Sequence, residues 1–324
     1  MSPRLILAAE AGAFDVALPS RILLLDPPLD LDLSLFGKAA VSILTDMMPD
    51  FMIWQKRKVT VIQDTNAQAY DVAVVFAPRI KALAFNRLAL AARVADRVIV
   101  DGQKTDGIES LHKDIKKRAP LQGPISKAHG KLFWFDGGVD FGDAVTAPAV
   151  REDRWHVAPG VFSFDGIDPG SHMLAAAIPS TLSGRVADLG AGWGYLSAIV
   201  LERCPKIKAL HLIEAHAPAL ECAKQNVTDP RALFHWADAT RWAEESKLDA
   251  IIMNPPFHKG RAADTDLGRA FVASAARLLR PGGHLWMVAN RHLAYEQVLR
   301  ERFANVTEAG GDNRYKLIQA RAAR

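Results

Sequence analysis

The chain has 324 residues, 49% apolar and 23% charged, which excludes a disordered or fibrous protein and fits two domains better than one core. A net charge of +4 is compatible with a polyanionic partner without requiring one. Basic residues are spread through both halves, so any nucleic-acid surface would be a local patch. Cys204 and Cys222 are the only cysteines and have neither zinc-ligand spacing nor a disulfide framework. That usage points to a reducing, cytoplasmic setting with two ordinary buried thiols, and no metal is implied. Leu5 to Ala9 is too short for a signal-peptide core, and no stretch approaches a membrane span.

From residue 21 short apolar, β-branched runs alternate with helix-like or polar segments: Arg21 to Leu25, Val41 to Thr45, Val59 to Ile62, Asp71 to Phe76, Arg97 to Val100 and Leu132 to Phe135. The second half repeats the pattern at Arg185 to Leu189, Ala209 to Ile213, Ala232 to Trp236, Asp249 to Met253 and His284 to Ala289. Strands alternating with crossovers predict an α/β fold with parallel sheets. The predicted domains are residues 1–150 and 151–324, with residues 143–160, which hold Pro148 and Pro159, as the linker.

Laid in order, the two sets of runs correspond. Tyr70 to Val75 stands against Leu248 to Met253, which puts Phe76, Ala77, Pro78 and Arg79 opposite Asn254, Pro255, Pro256 and Phe257. Leu25-Asp26-Pro27-Pro28 stands where the second half has a glycine-rich turn, and prolines there offer no N–H to a ligand. Asp46 and Asp64, at strand ends, are the only echo of the second half's acids. The first domain reads as a duplicated copy that has lost its chemistry; two unrelated domains matched by eye is the competing account. After its fifth strand the spacing predicts a helix with Ile108, Leu111 and Ile115 on one face and Lys113, Lys116, Lys117 and Arg118 on the others. With Lys104, Lys127 and Lys131 this is the candidate phosphate patch of the first half, set against an ordinary solvated face.

In the second half, Val186-Ala187-Asp188-Leu189-Gly190-Ala191-Gly192-Trp193-Gly194-Tyr195 is a strand running into glycines and then a helix. Glycines let the backbone approach a ligand closely, and a helix amino terminus offers N–H groups and positive potential. A dinucleotide fingerprint would want glycine where Tyr195 stands, so the spacing argues against NAD. The run Ile251-Ile252-Met253 ends in Asn254-Pro255-Pro256-Phe257-His258, at the carboxyl edge where open α/β sheets keep their chemistry. The Asn254 side-chain oxygen and the Pro255 carbonyl can accept hydrogens from an amino group, and Phe257 can lie against the ring that carries it. Near the carboxyl terminus, Val306 to Ala309 and Tyr315 to Ala320 flank Gly310-Gly311-Asp312-Asn313 as a closing hairpin.

Preceded by Asp188, the glycine loop resembles the first motif of class I S-adenosyl-L-methionine-dependent methyltransferases. The resemblance implies a Rossmann-like, mostly parallel seven-stranded sheet, here in two tandem copies with the first degenerate. It implies cofactor contacts at Asp188, Gly190, Ala191, Gly192 and Gly194, with Asp188 reaching the methionyl amino group. It further implies ribose contact at Glu214, adenine contact at Asp238 and Ala239, and Asn254 at the methyl. Asn-Pro-Pro-aromatic in that family marks transfer to a nitrogen of a planar amide or nucleobase, so Asn254, Pro255, Pro256 and Phe257 are the candidate catalytic residues. Pro159-Gly160-Val161-Phe162-Ser163-Phe164-Asp165-Gly166-Ile167-Asp168-Pro169-Gly170-Ser171 and Val288-Ala289-Asn290 are similar to the RsmC-type ribosomal RNA guanine-N2 methyltransferases. The similarity is strong over residues 156–320 and mostly architectural over 1–150. It implies methyl transfer to guanine N2 in ribosomal RNA, with the RNA or the small ribosomal subunit as partner. Glutamine in a protein, or another nucleobase, fits the same motif, and a non-catalytic RNA-binding assembly factor is the reading from a different class. One departure stands out: the family commonly has arginine after Phe-Ser, where this chain has Phe164, which removes a cation from the expected substrate mouth.

Overall fold

The computed structural model describes residues 3–18, 20–65, 68–152, 154–256, 258–259, 262–263, 265–293 and 295–323. The chain divides into two compact units, Met1–Ala147 and Pro148–Arg324. The first contains strands β1 (Arg21–Leu25), β2 (Ala40–Leu44), β3 (Thr60–Ile62), β4 (Tyr70–Phe76), β5 (Ala95–Gln103), β6 (Gln122–Lys127) and β7 (Gly130–Asp136). Its helices are α1 (Pro3–Glu10), α2 (Met48–Lys56), α3 (Lys81–Val94) and α4 (Ile108–Ile115). The second begins with a hairpin, β8 (Ala149–Arg151) and β9 (Trp155–Val157), inside the stretch expected to be linker. There follow α5 (Pro169–Ala177), β10 (Gly184–Leu189), α6 (Tyr195–Arg203), β11 (Ile207–Glu214), α7 (Ala217–Asn226), β12 (Ala232–Trp236) and β13 (Leu248–Met253). A short pair β14 (His258–Lys259) and β15 (Ala262–Ala263) leads to α8 (Thr265–Leu278), β16 (Leu279–Asn290), α9 (Glu296–Arg302), β17 (Phe303–Gly311) and β18 (Tyr315–Ala322).

The two large sheets have one topology. Their orders are β3-β2-β1-β4-β5-β7-β6 and β12-β11-β10-β13-β16-β18-β17, and in each the last two strands pair antiparallel on a parallel body. Burial on both faces explains why the central strands read as unbroken apolar runs. In β13, Ala250 and Ile252 enter the core on one face while Ile251 and Met253 enter the core on the other. Leu279-Arg280-Pro281-Gly282-Gly283 carries a bulge inside β16: Leu279 pairs with Leu248 and His284 with Ala250.

Register fixes which residues of the two units are equivalent. Ile22 pairs with Val72 in one sheet and Val186 with Ala250 in the other. Counting along, Leu24 stands at Asp188, Asp26 at Gly190 and Phe76 at Asn254. Asp26 keeps the left-handed backbone of its counterpart, φ 52° against 77°. The Arg21 N–H donates to Asp71 Oδ2 at 2.6 Å, and the Arg185 N–H donates to Asp249 Oδ2 at 2.8 Å. A shared strand order, a shared positive φ and a shared arginine–aspartate contact favour duplication over coincidence. The register also corrects the expected acidic echo. Leu44 pairs with Leu25, and Ile213 with Leu189, so Thr45 stands at Glu214 and Asp46 lies one residue beyond.

Where the second unit packs Phe271 beside Gly190, 3.3 Å from the position of a Cβ there, the first sets charge. Arg87, seventh in α3 as Phe271 is in α8, donates through Nε to Asp26 Oδ2 at 2.7 Å and through Nη2 to Asp46. Its side chain is only 11% exposed, so the guanidinium fills the space between the two acids. The expected phosphate patch is partly neutralised: Lys117 pairs with Asp114, Arg118 with Asp143 and Lys131 with Glu109. Ile108, Leu111 and Ile115 form the buried face of α4 as expected. Among the described residues no helix is long and apolar enough to cross a membrane. Arg87→Ala leaves two half-buried carboxylates facing each other and is expected to cost about 3 kcal/mol. Urea unfolding checks this, and a wild-type midpoint would refute a structural role for the cluster.

Candidate active site

Four strand ends set out the candidate residues along one edge. In the order β12, β11, β10, β13, the residues at or just past the carboxyl ends are Asp238, Glu214, the Asp188–Gly194 loop and Asn254. At roughly 4.8 Å per strand the row spans about 14 Å. A cleft of about 420 Å³ opens at the β10 and β13 end, lined by Asp188, Gly190, Ala191, Gly192, Asn254 and the segment Phe162-Ser163 among others. Glu214, Asp238, Ala239, Gly194, Pro255 and Pro256 are not in its lining. Phe257 lies outside the described residues.

Period-two alternation decides what Asn254 meets. It follows Ile252 on the face covered by α5, whose Leu174 and Ala175 join the same core. The Asn254 amide donates through Nδ2 to Asp168 Oδ2 at 2.9 Å and to Ser171 Oγ at 2.8 Å. Both amide hydrogens are thereby used, and Oδ1, with two lone pairs, is the group left for a ligand. Asp168 is itself fixed as the N-cap of α5, accepting the Ser171 N–H at 2.7 Å, with Pro169 in the first turn. Gly170 admits this packing, since a Cβ there would lie 3.0 Å from Asp168 Oδ2 and 3.1 Å from Tyr315 Cε1. Sequence reasoning quoted Asp168 and Ser171 only as part of a resemblance. The Asp-Pro-Gly-Ser spacing was a readable N-cap signal; their grip on a residue 86 positions away was not.

Asp188 is 1% exposed and accepts the Ser197 hydroxyl at 2.7 Å. Burial pushes its carboxyl up to about 7, against the pull of Ser197, with the nearby Glu214 charge adding to the rise. Glu214 is also raised, by burial first, while backbone N–H groups pull it down. Its Oε2 accepts the Gly192 N–H at 2.8 Å and its Oε1 the His216 N–H at 2.8 Å. Each oxygen keeps a lone pair, so the carboxylate supports the glycine loop and remains an acceptor.

The loop departs from expectation in what its N–H groups do. Those of Gly190 and Ala191 donate to the Ile213 carbonyl, that of Gly192 to Glu214 and that of Gly194 to the Ala191 carbonyl. The loop therefore gives a ligand room more than donors, which suits an uncharged chain better than a pyrophosphate. Gly194 (φ 88°) serves packing: a Cβ would lie 2.9 Å from Val227 Cγ2. Asp238 Oδ1 accepts from the Thr240 N–H at 2.8 Å and hydroxyl at 2.6 Å, which shapes the turn after β12. The Ala239 carbonyl accepts the Ser274 hydroxyl at 2.6 Å, tying that turn to α8. Beside position 164, where the expected cation is missing, Arg151 of β8 lies 4.8 Å over the Phe164 ring and donates through Nε to the Phe164 carbonyl. Among the described residues no cluster of three or more His, Cys, Asp or Glu could hold a metal ion.

Residues 154–319 match the family model described as "Methyltransferase small domain". The chain is 32% identical over 273 residues to ribosomal RNA small subunit methyltransferase C of Shewanella sp. (strain MR-4), covering 78% of each. It is 30% identical over 239 residues to the protein of that name from Cronobacter sakazakii, covering 70% of this chain and 68% of the relative. Among solved structures it is similar to the T. thermophilus 16S rRNA N2 G1207 methyltransferase (RsmC) in complex with AdoMet and guanosine. That likeness has a TM-score of 0.84 at 25% identity, over 95% of this chain and 89% of that one.

Asp168→Ala removes the α5 cap and one acceptor of the Asn254 amide, and is expected to lower stability by about 1–2 kcal/mol. The check is a lower urea midpoint at constant m-value; an unchanged midpoint would show that the cap is dispensable.

Proposed function

We propose a reaction on the premise that the chain belongs to the methyltransferase small domain family and, within it, to the ribosomal RNA small subunit methyltransferase C proteins. It is transfer of a methyl group from S-adenosyl-L-methionine to the exocyclic N2 amine of a guanine in the 16S RNA of the small ribosomal subunit, in the cytoplasm. The observation that carries this reading is the Asn254 amide, whose two hydrogens are taken by Asp168 and Ser171 so that Oδ1 alone faces a substrate. An oxygen-only site at the end of β13 selects an amino group over a carbonyl or a hydroxylate.

The residues fit the cofactor. Asp188 is a buried carboxylate in the cleft lining, and a Cβ at Gly192 would meet nothing within 4 Å, so the loop leaves space beside it. We assign the methionyl ammonium to Asp188, the ribose hydroxyls to Glu214 and the adenine to the Asp238-Ala239 turn. Bound there, S-adenosyl-L-methionine supplies an electrophilic methyl on a sulfonium. Asn254 Oδ1 and the Pro255 carbonyl accept the two N2 hydrogens, which favours the pyramidal amine over the form conjugated with the ring. They also hold its lone pair on the line of attack. As N2 acquires positive charge these oxygen dipoles stabilise it, so a strong base is unnecessary: one N2 proton passes to water after the N–C bond has formed and the methyl–sulfur bond has broken. The first unit, with Arg87 in place of cofactor-binding space, is assigned a non-catalytic role in RNA contact or support.

Asn254→Ala is expected to lower kcat about 10²- to 10³-fold. Transfer of labelled methyl to small ribosomal subunits, followed by nucleoside analysis, checks both rate and product. Label in N2-methylguanosine that is lost in the variant supports the reading; label in a protein glutamine, or an undiminished rate, overturns it. The raised Asp188 carboxyl gives a pH dependence with a definite sign. Free protein near pH 6 carries Asp188 largely protonated, and an ammonium ligand favours the ionised form. Affinity for S-adenosyl-L-methionine is therefore expected to rise from pH 6 to pH 8 as Asp188 ionises near 7. Calorimetry on wild type and Asp188→Asn checks this, and the assignment fails if both show the same slope.

A further inference from the structure

Phe162 is 61% exposed, the most exposed large apolar side chain among the described residues, and it lines the same cleft as Asn254. Its position is built rather than loose. Val161 before it is buried, the Phe162 carbonyl accepts Trp193 Nε1–H at 3.0 Å, and Ser163 after it holds a left-handed backbone, φ 56°. The Gly166 N–H donates to the Ser163 carbonyl at 3.2 Å, and Arg151 Nε donates to that of Phe164 at 3.2 Å. A phenyl ring left in water and a strained serine are both unfavourable, and no packing within the described chain offsets them. A loop that fixes its backbone so firmly and leaves its ring outside is organised for contact with something else.

We propose that Phe162 is a stacking platform for a nucleobase of the RNA, the base next to the guanine that enters the cleft. The inference rests on the guanine reading above. An aromatic face beside a cation is the usual chemistry of base contact. Phe162 supplies the face, and the Arg151 guanidinium over Phe164, two residues along, supplies the charge that attracts the phosphate chain. Lifting a guanine from its stack exposes its neighbour, and a ring at the mouth replaces the lost contact.

The test compares wild type, Phe162→Ala and Phe162→Tyr for methyl transfer to small ribosomal subunits and for S-adenosyl-L-methionine affinity by calorimetry. In Phe162→Ala the KM for subunits is expected to rise about tenfold while cofactor affinity holds, and Phe162→Tyr is expected to restore it. A wild-type KM in Phe162→Ala overturns the proposal. So does a loss of cofactor affinity that accounts for the defect, which would make the ring a cover for the cofactor. Failure of the guanine reading is distinguishable, since wild type itself would then methylate no RNA.

Discussion

With helices packed on both faces of each large sheet, the central strands have no solvated face on which to carry polar groups. In β10, Val186, Ala187 and Leu189 are fully buried, and in β13 so are Ile251, Ile252 and Met253. Polar chemistry can then appear only where strands end, and the sheet order fixes what lies beside what. Because β10 sits between β11 and β13, the glycine loop lies between Glu214 and Asn254 although the chain runs from one to the other through Gly194, Glu214 and Asp238. Asp188 shows the constraint at its limit. It lies inside β10, it accepts the Ser197 hydroxyl, and burial raises its carboxyl.

The two units show what that constraint preserves where the candidate site residues differ. The first keeps strand order, register, the left-handed residue after β1 and the Arg21–Asp71 contact. It has Leu24 for Asp188, Thr45 for Glu214 and Phe76 for Asn254. Each change removes a charge or an amide from a strand end, where apolar or hydroxyl side chains satisfy the same packing. Asp26 runs the other way, adding a charge where the working unit has glycine. It is tolerable only because α3 offers Arg87 at the level where α8 offers Phe271. The residues that make the fold are thus separable from those that made the site, and the first unit retains only the former.

The fold was legible in the sequence because period and run length report burial directly. The strands of both parallel bodies, the closing hairpin and the apolar face of α4 were all visible that way. The hairpin of β8 and β9 was not, since prolines and mixed charge around Val150 and His156 mask two short pairing segments. In the candidate site, Asp188, the glycines and Asn254 could be read because each ends an apolar run. Asp168, Ser171 and Ser197 could not, because their value lies in contacts made in three dimensions. Arg151 is the clearest example. Reading along the chain, position 164 loses a cation; in space, Arg151 of β8 lies over the Phe164 ring.

Charge explains why an amide suits position 254. Asp168 and Asp188 put two carboxyl groups into the lining of the cleft, and the nearby Glu214 charge adds to the rise of the Asp188 carboxyl. Such a lining favours a ligand carrying an ammonium and a sulfonium. The same lining disfavours a polyanion. Asn254 Oδ1 stands among these acids as a neutral acceptor. An aspartate in place of Asn254 would add a third negative charge beside Asp168 and would lack the amide hydrogens that bind Asp168 and Ser171. The amide is the side chain that can be held by a carboxylate and a hydroxyl on one edge and still present an uncharged oxygen on the other.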